Sequence, residues 1–144
     1  MKTFADTSIL VAAIVESHPD HARTFPWLRD AKRGQHALFV STHTLAETYA
    51  VLTSLPLQPR MSPDIARRLI RENVEHIATV VDLCSEDYRR VLDNMASLGL
   101  TGGVIYDALA AHAAQKVSVE KLLTLNPGDF QRVWPGGANV IALP

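Results

Sequence analysis

Short apolar runs alternate along this chain with stretches of helical periodicity, and that alternation constrains the fold more than any other feature. The runs at 2–5, 37–40, 79–83, 121–125 and 140–143 are too short for helices and read as buried strands. Strands joined through helices pair in parallel by right-handed crossovers and carry helices on both faces of the sheet. The expected fold is therefore a three-layer α/β/α sandwich around a central parallel sheet. At 144 residues the chain has the size of one ordinary domain, and a division would leave neither half a comfortable core. One domain over 1–144 is expected. In such sheets ligands bind beyond the carboxyl ends of the strands, and Asp6 stands at one of those ends.

The helical stretches carry their own punctuation. Residues 8–15 continue from Asp6 as an apolar helix. A second helix starts near Pro19 and stops at Gly34, with a kink or break expected at Pro26. Thr42 is placed to cap a helix reaching about residue 55, and Pro56 and Pro59 mark a loop. Ser62-Pro63-Asp64 is a helix start whose inward stripe reads Ile65, Leu69, Ile70, Val74 and Ile77. Ser85 is the expected cap of the next helix, which Gly99 ends. After Thr101-Gly102-Gly103 an alanine-rich helix runs to Lys116, and Asn126-Pro127-Gly128 reads as a turn.

Composition removes several classes. Hydrophobic residues at 47% and charged ones at 20% suit a soluble globular protein and exclude collagen-like, coiled-coil and disordered chains. The lone cysteine, Cys84, allows neither an internal disulfide nor a cysteine-based metal cluster. Net charge is −1, so any nucleic acid must be met by a local patch, not a global basic field. Lys2 and the apolar run 9–15 faintly imitate a signal peptide, but Asp6 interrupts them and Glu16-Ser17-His18 is no cleavage site. No run approaches the ~20 apolar residues that span a bilayer. A cytoplasmic, non-membrane protein is expected.

The placing of the acids is more informative than their number. Asp6, Glu47, Asp107 and Asp129 are each the only formally charged residue of a long apolar stretch, without a sequence-local cation. Leu45, Ala46, Tyr49, Ala50, Val51 and Leu52 surround Glu47, so its helix reads as buried or nearly so. A carboxylate there must be paired, protonated or metal-bound. Taken singly, each acid is more often a cap, a paired core acid or a solvated residue, and Asp129 could be a turn residue after Pro127-Gly128. If the four converge, their mutual repulsion raises their pKa values unless a cation joins them, and oxygen-only donors favour Mg²⁺ or Mn²⁺ over zinc.

These acids lie in segments that can be matched. The opening Phe4-Ala5-Asp6-Thr7-Ser8, the helix Leu45-Ala46-Glu47-Thr48-Tyr49, the stretch from Gly102-Gly103 through Tyr106-Asp107-Ala108, and the closing Leu123-Thr124-Leu125-Asn126-Pro127-Gly128-Asp129-Phe130 resemble the PIN-domain ribonucleases. Among them the VapC-type toxins of bacterial toxin–antitoxin pairs are most similar. The resemblance covers nearly the whole chain in the family's order. It implies a PIN-like fold and a Mg²⁺- or Mn²⁺-dependent endoribonuclease acting on RNA. Asp6 and Asp107 match the principal metal ligands, Glu47 completes the acidic triad, and Ser8 matches a supporting hydroxyl. Many relatives carry Asp where this chain has Asn126, so either Asp129 supplies the fourth acid or Asn126 positions a water, and the number of metals stays open. The resemblance further implies a homodimer and a cognate VapB-type antitoxin whose tail covers the acidic groove.

Other features carry less. Arg60, Arg67, Arg68 and Arg71 form a candidate RNA patch or, more plainly, a solvated helix face. His43 and Glu47 share a helix face at i, i+4, a possible metal pair, although a carboxylate site does not require it. Trp27 and Trp134 could stack bases but read more plainly as packing or interface residues, and Cys84 reads as a small buried hydrophobe. The competing functions are a non-catalytic PIN-type RNA- or protein-binding module, which retention of Asp6, Glu47 and Asp107 disfavours, and an acyl-phosphate enzyme. For the latter a haloacid-dehalogenase pattern wants a second Asp where Ser8 stands, and a receiver pattern fits no better.

Overall fold

A computed structural model of the chain describes residues 1–144. Five parallel strands form one sheet in the order β3-β2-β1-β4-β5: β1 (Lys2–Ala5), β2 (Ala37–Ser41), β3 (Thr79–Val81), β4 (Lys121–Leu123) and β5 (Ile141–Ala142). β1 is central, with Phe4 opposite Phe39 of β2 on one side and Leu122 of β4 on the other. The chain builds outward from β1 to β3 and then returns to β1's other side with β4. The carboxyl end of β1 is therefore a switch point of the topology, where α/β sheets open a crevice.

Period-two alternation divides the strand side chains between two cores. Phe4 and Leu122 point to one face, where they are buried with Val91, Leu109 and Phe130 of helices α5 (Ser85–Ser97), α6 (Val104–Lys116) and α7 (Pro127–Val133). Ala5 and Leu123 point to the other. There they meet Ile9, Leu28, Leu52 and Ile70 of α1 (Thr7–Ile14), α2 (His21–Lys32), α3 (Thr42–Ser54) and α4 (Pro63–Ile70). The three layers are thus present as expected, with a hydrophobic core on each side of the sheet. No helix is long and apolar enough to cross a membrane.

Several local expectations are corrected. Ser41, not Thr42, caps α3: it keeps the extended backbone of β2, so its hydroxyl reaches the Thr44 amide at 3.0 Å while Thr42 is already helical. Cys84, not Ser85, precedes α5, and its amide donates to Asp87 Oδ2 at 2.8 Å. α2 starts at His21, two residues beyond Pro19, and runs unbroken through Pro26. The carbonyl that Pro26 leaves without a donor belongs to exposed Ala22, where water can satisfy it, and Leu28 and Ala31 anchor the helix. Asn126-Pro127-Gly128 is no free turn: Pro127 is the first residue of α7, where its missing N–H costs nothing. Ile65 is exposed and Ala66 takes its inward place, in register with Ile70 and Val74 at i+4 and i+8. Gly99 closes α5 at φ +67°, a left-handed conformation that a side chain would strain.

Candidate active site

Asp6 follows β1 directly and caps α1. Its backbone amide extends the β1–β4 ladder by donating to the Leu123 carbonyl at 3.2 Å, which sets Asp6 beside Thr124. Three donors hold the carboxylate: Ser8 Oγ on Oδ1 at 2.6 Å, the Ile9 amide on Oδ1 at 3.1 Å, and Thr124 Oγ1 on Oδ2 at 2.6 Å. Both hydroxyls are themselves oriented. Ser8 Oγ accepts from the Leu125 amide and Thr124 Oγ1 from the Asn126 amide, each at 3.0 Å. Asp6 is only 5% exposed. Burial raises its pKa, the three hydrogen bonds oppose that rise, and the charge of Glu47 adds to it. Oδ1 has both lone pairs engaged, whereas Oδ2 keeps one free.

Asp107 lies in the first turn of α6, where a negative charge meets the positive end of the helix dipole. Its pKa is nevertheless raised to about 7, first by burial and then by the charges of Asp6, Asp129 and Glu47. Such mutual repulsion places these carboxylates in one electrostatic field. Glu47 corrects the expectation for its helix. α3 buries Thr44, Thr48 and Leu52, but Ala46, Tyr49 and Ala50 are in solvent, and the Glu47 side chain is 36% exposed. An acid at that boundary needs no buried partner. It has one all the same in His43, whose Nε2 stands 3.3 Å from Glu47 Oε2. The His43 ring stacks in turn on Tyr106, with centroids 5.0 Å apart and planes 4° from parallel.

Asp6, Glu47 and Asp107 line one cleft of about 310 Å³ at the carboxyl end of the sheet, together with His18, His43 and Tyr106. No lysine or arginine lines it. Asp129 does not line it either. It is half exposed and lies 3.6 Å from Arg132, so the expectation that it lacks a local cation is corrected, although its charge still reaches Asp107. Asn126 also stays outside the lining and contributes its backbone amide to Thr124. Arg67 of the arginine face is committed to Glu75.

Sequence reasoning passed over Thr124 and gave His43 no role. The signal for Thr124 was a hydroxyl inside an otherwise apolar strand end, since a buried hydroxyl must find a partner. For His43 it was the i, i+4 spacing to Glu47.

No three His, Cys, Asp or Glu side chains close on a common point as a complete metal cage. The donor chemistry still fits a hard divalent ion, because Mg²⁺ is commonly held by one or two carboxylates and keeps several waters. The free Oδ2 lone pair of Asp6 and the half-buried Asp107 carboxylate could supply such a pair.

The profile of the PIN domain family matches residues 3–133. Ribonuclease VapC27 of Mycobacterium tuberculosis (strain ATCC 25618 / H37Rv) is 36% identical over 115 residues, covering 80% of this chain and 78% of that protein. Ribonuclease VapC40 of Mycobacterium tuberculosis (strain CDC 1551 / Oshkosh) is 36% identical over 119 residues, covering 83% and 82%. Among solved structures, VapBC2 from Rickettsia felis bound to a promoter DNA fragment superposes with a TM-score of 0.69 at 18% identity. It covers 100% of this chain and 99% of that one, a likeness of fold.

Proposed function

The chain belongs to the PIN domain family, and on that premise we propose that it is a divalent-metal-dependent endoribonuclease, the toxin of a toxin–antitoxin pair. The observation that carries this reading is the cleft in which Asp6, Glu47 and Asp107 gather without a lysine or arginine. A polyanionic RNA cannot approach such a surface unless a cation joins it, and carboxylate oxygens select Mg²⁺ or Mn²⁺.

The chemistry such an ion supplies when bound is polarisation of the scissile phosphodiester and a lowered pKa for a coordinated water. The chain's own groups prepare the place. Asp6 and Asp107 would hold the ion. Ser8 and Thr124 fix the Asp6 carboxylate so that its free Oδ2 lone pair faces one way. Glu47, at the rim and steadied by His43, would orient the attacking water and accept its proton. Asp129 acts on Asp107 through space and not as a ligand. The partners that follow are RNA as substrate, a second copy of the chain, and a VapB-type antitoxin. A basic side chain of that antitoxin would neutralise the cleft.

The test compares wild type with Asp6→Asn on structured RNA in Mg²⁺, in Mn²⁺ and in chelator. Cleavage should fall by about 100-fold or more in the variant and in the chelated sample. A folded Asp6→Asn protein cutting at the wild-type rate, or cutting that persists in chelator, overturns the reading. RNA bound but never cut would instead mark a non-catalytic binding module.

A further inference from the structure

We infer that Tyr106, backed by His43, is a nucleobase-stacking platform at the lip of the acidic cleft, so that the RNA is gripped by a base beside the point of cleavage. The inference rests on the ribonuclease reading and adds a binding residue to it.

Tyr106 is 50% exposed, although it sits in a helix whose following residues Ala108 to Ala111 are all buried. An exposed aromatic ring is ordinary when it stands alone on a surface. This one is held. One face of the ring is covered by the His43 imidazole, nearly parallel to it. His43 is fixed in turn by the Glu47 carboxylate, so two elements, α3 and α6, lock the ring's orientation. The ring is half exposed and lines the cleft. A ring held rigid on one side and open on the other loses little conformational freedom when a third ring stacks upon it.

Its position supplies the ligand class. Tyr106 precedes Asp107 in sequence and lines the same cleft as Asp6 and Glu47. A chain whose phosphodiester is presented to the carboxylates brings its neighbouring bases into the cleft that this ring lines. The cleft offers no lysine or arginine to hold the backbone. Affinity for the reacting segment must therefore come from the metal and from contacts that carry no charge, and base–aromatic stacking is the strongest of these. A base can reach the ring only if it is unstacked from its neighbours, so the platform selects single-stranded or looped RNA over continuous duplex.

The test follows fluorescence and turnover together. The full-length chain is mixed in Mg²⁺ with single-stranded oligouridines about ten nucleotides long, each carrying one central 2-aminopurine, which stacks weakly on uridine and whose emission falls when it stacks on an aromatic ring. Wild type should quench the probe in the binding phase. Tyr106→Leu, which keeps bulk but removes the ring, should abolish the quench and weaken binding by about tenfold or more. On cleavable structured RNA its loss should fall on KM more than on kcat, and Tyr106→Phe and Tyr106→Trp should restore both readouts. The quench separates the platform from a packing role, because a ring that only packs against His43 would not stack on the probe. If Tyr106→Leu quenches and binds like wild type, or its KM is unmoved while wild type cleaves, the platform is overturned and the ribonuclease reading stands. If wild type neither binds nor cuts any RNA, the reading falls and takes the platform with it.

Discussion

Thr124 Oγ1 donates to Asp6 Oδ2 at 2.6 Å, across the ladder between adjacent parallel strands and over a sequence separation that covers most of the chain. Both residues are buried, and the same hydroxyl accepts the Asn126 amide, so Thr124 carries a backbone dipole onto the carboxylate. The contact makes the geometry of the cleft depend on the register of β1 against β4.

Thr124→Val is the sharpest probe of that dependence. Valine keeps the shape but leaves a buried carboxylate oxygen and the Asn126 amide each without a partner. We expect a loss of about 1–3 kcal/mol in a urea titration. Asp6 already has a raised pKa, and removing a bond to its charged form raises it further. The acid limb of the pH–rate profile should therefore move to higher pH in the variant. An unmoved limb would separate Thr124 from the site.

Asp107 gives a prediction of opposite sign. Its folded pKa, about 7, lies above the ordinary 3.8, so the native state binds more protons than the unfolded chain between those values. The stability it allows is full below pH 4 and is lost as pH rises toward 7. In chelator, Asp107→Asn should therefore be more stable than wild type at pH 8, by about 1–2 kcal/mol once the screening of a partly exposed group is discounted. The two should converge near pH 4. Paired urea titrations at both pH values decide it.

The same repulsion predicts how the protein responds to metal. A divalent ion that binds only the folded chain stabilises it by mass action, by about 2.7 kcal/mol at a hundredfold excess over Kd, and so raises the melting temperature. Wild type should show the rise in Mg²⁺ and Mn²⁺ at pH 8. Asp6→Asn and Asp107→Asn should lose most of it, whatever their activity. A rise of equal size in both variants would move the ion elsewhere.

The layered fold was legible because it rests on periodicity. The short runs of β1 and β2 cannot be helices, and the alternation of Phe4 with Ala5 and of Leu122 with Leu123 feeds two separate cores. Helix caps were less legible. Whether Ser41 or Thr42 receives the amide depends on one residue's backbone angle, which composition does not fix. The carboxylates of the cleft were visible as acids stranded in apolar sequence, and that isolation reflects full burial for Asp6 and half-burial for Asp107. For Glu47 it did not, because several of its apolar neighbours are in solvent. The supporting contacts were the least visible: Thr124 touches Asp6 only after the sheet forms, and the stack of His43 on Tyr106 only after α3 and α6 come together.

A buried carboxylate, Asp87 of α5, paired with Lys116 and His112 of α6 supplies a control outside the cleft lining. The Asp87 carboxylate accepts from Lys116 Nζ at 2.9 Å, His112 Nε2 at 2.8 Å and the Cys84 amide at 2.8 Å, and these donors hold its pKa well below the usual carboxylate range. A depressed folded pKa contributes stability that is complete above about pH 4 and is lost as pH falls. Asp87→Asn keeps an oxygen for the Cys84 amide but removes the charge facing Lys116 and His112, at a cost of about 1.5–3 kcal/mol at pH 7.

Asp129→Asn tests the fourth acid. Asp129 is half exposed, is paired with Arg132 and lies outside the cleft lining, but its charge helps to raise the Asp107 pKa. Removing that charge should lower the Asp107 pKa and shift the acid limb of the pH–rate profile slightly downward. A charge acting through solvent is worth little, so cleavage at pH 8 should change by only a few-fold. That contrasts with the loss of about 100-fold or more expected for Asp6→Asn. The two variants assayed side by side at saturating Mg²⁺ separate the roles. If Asp129→Asn loses activity as deeply as Asp6→Asn, Asp129 is a ligand that swings into the cleft when the metal binds, and the site is built from four carboxylates instead of three.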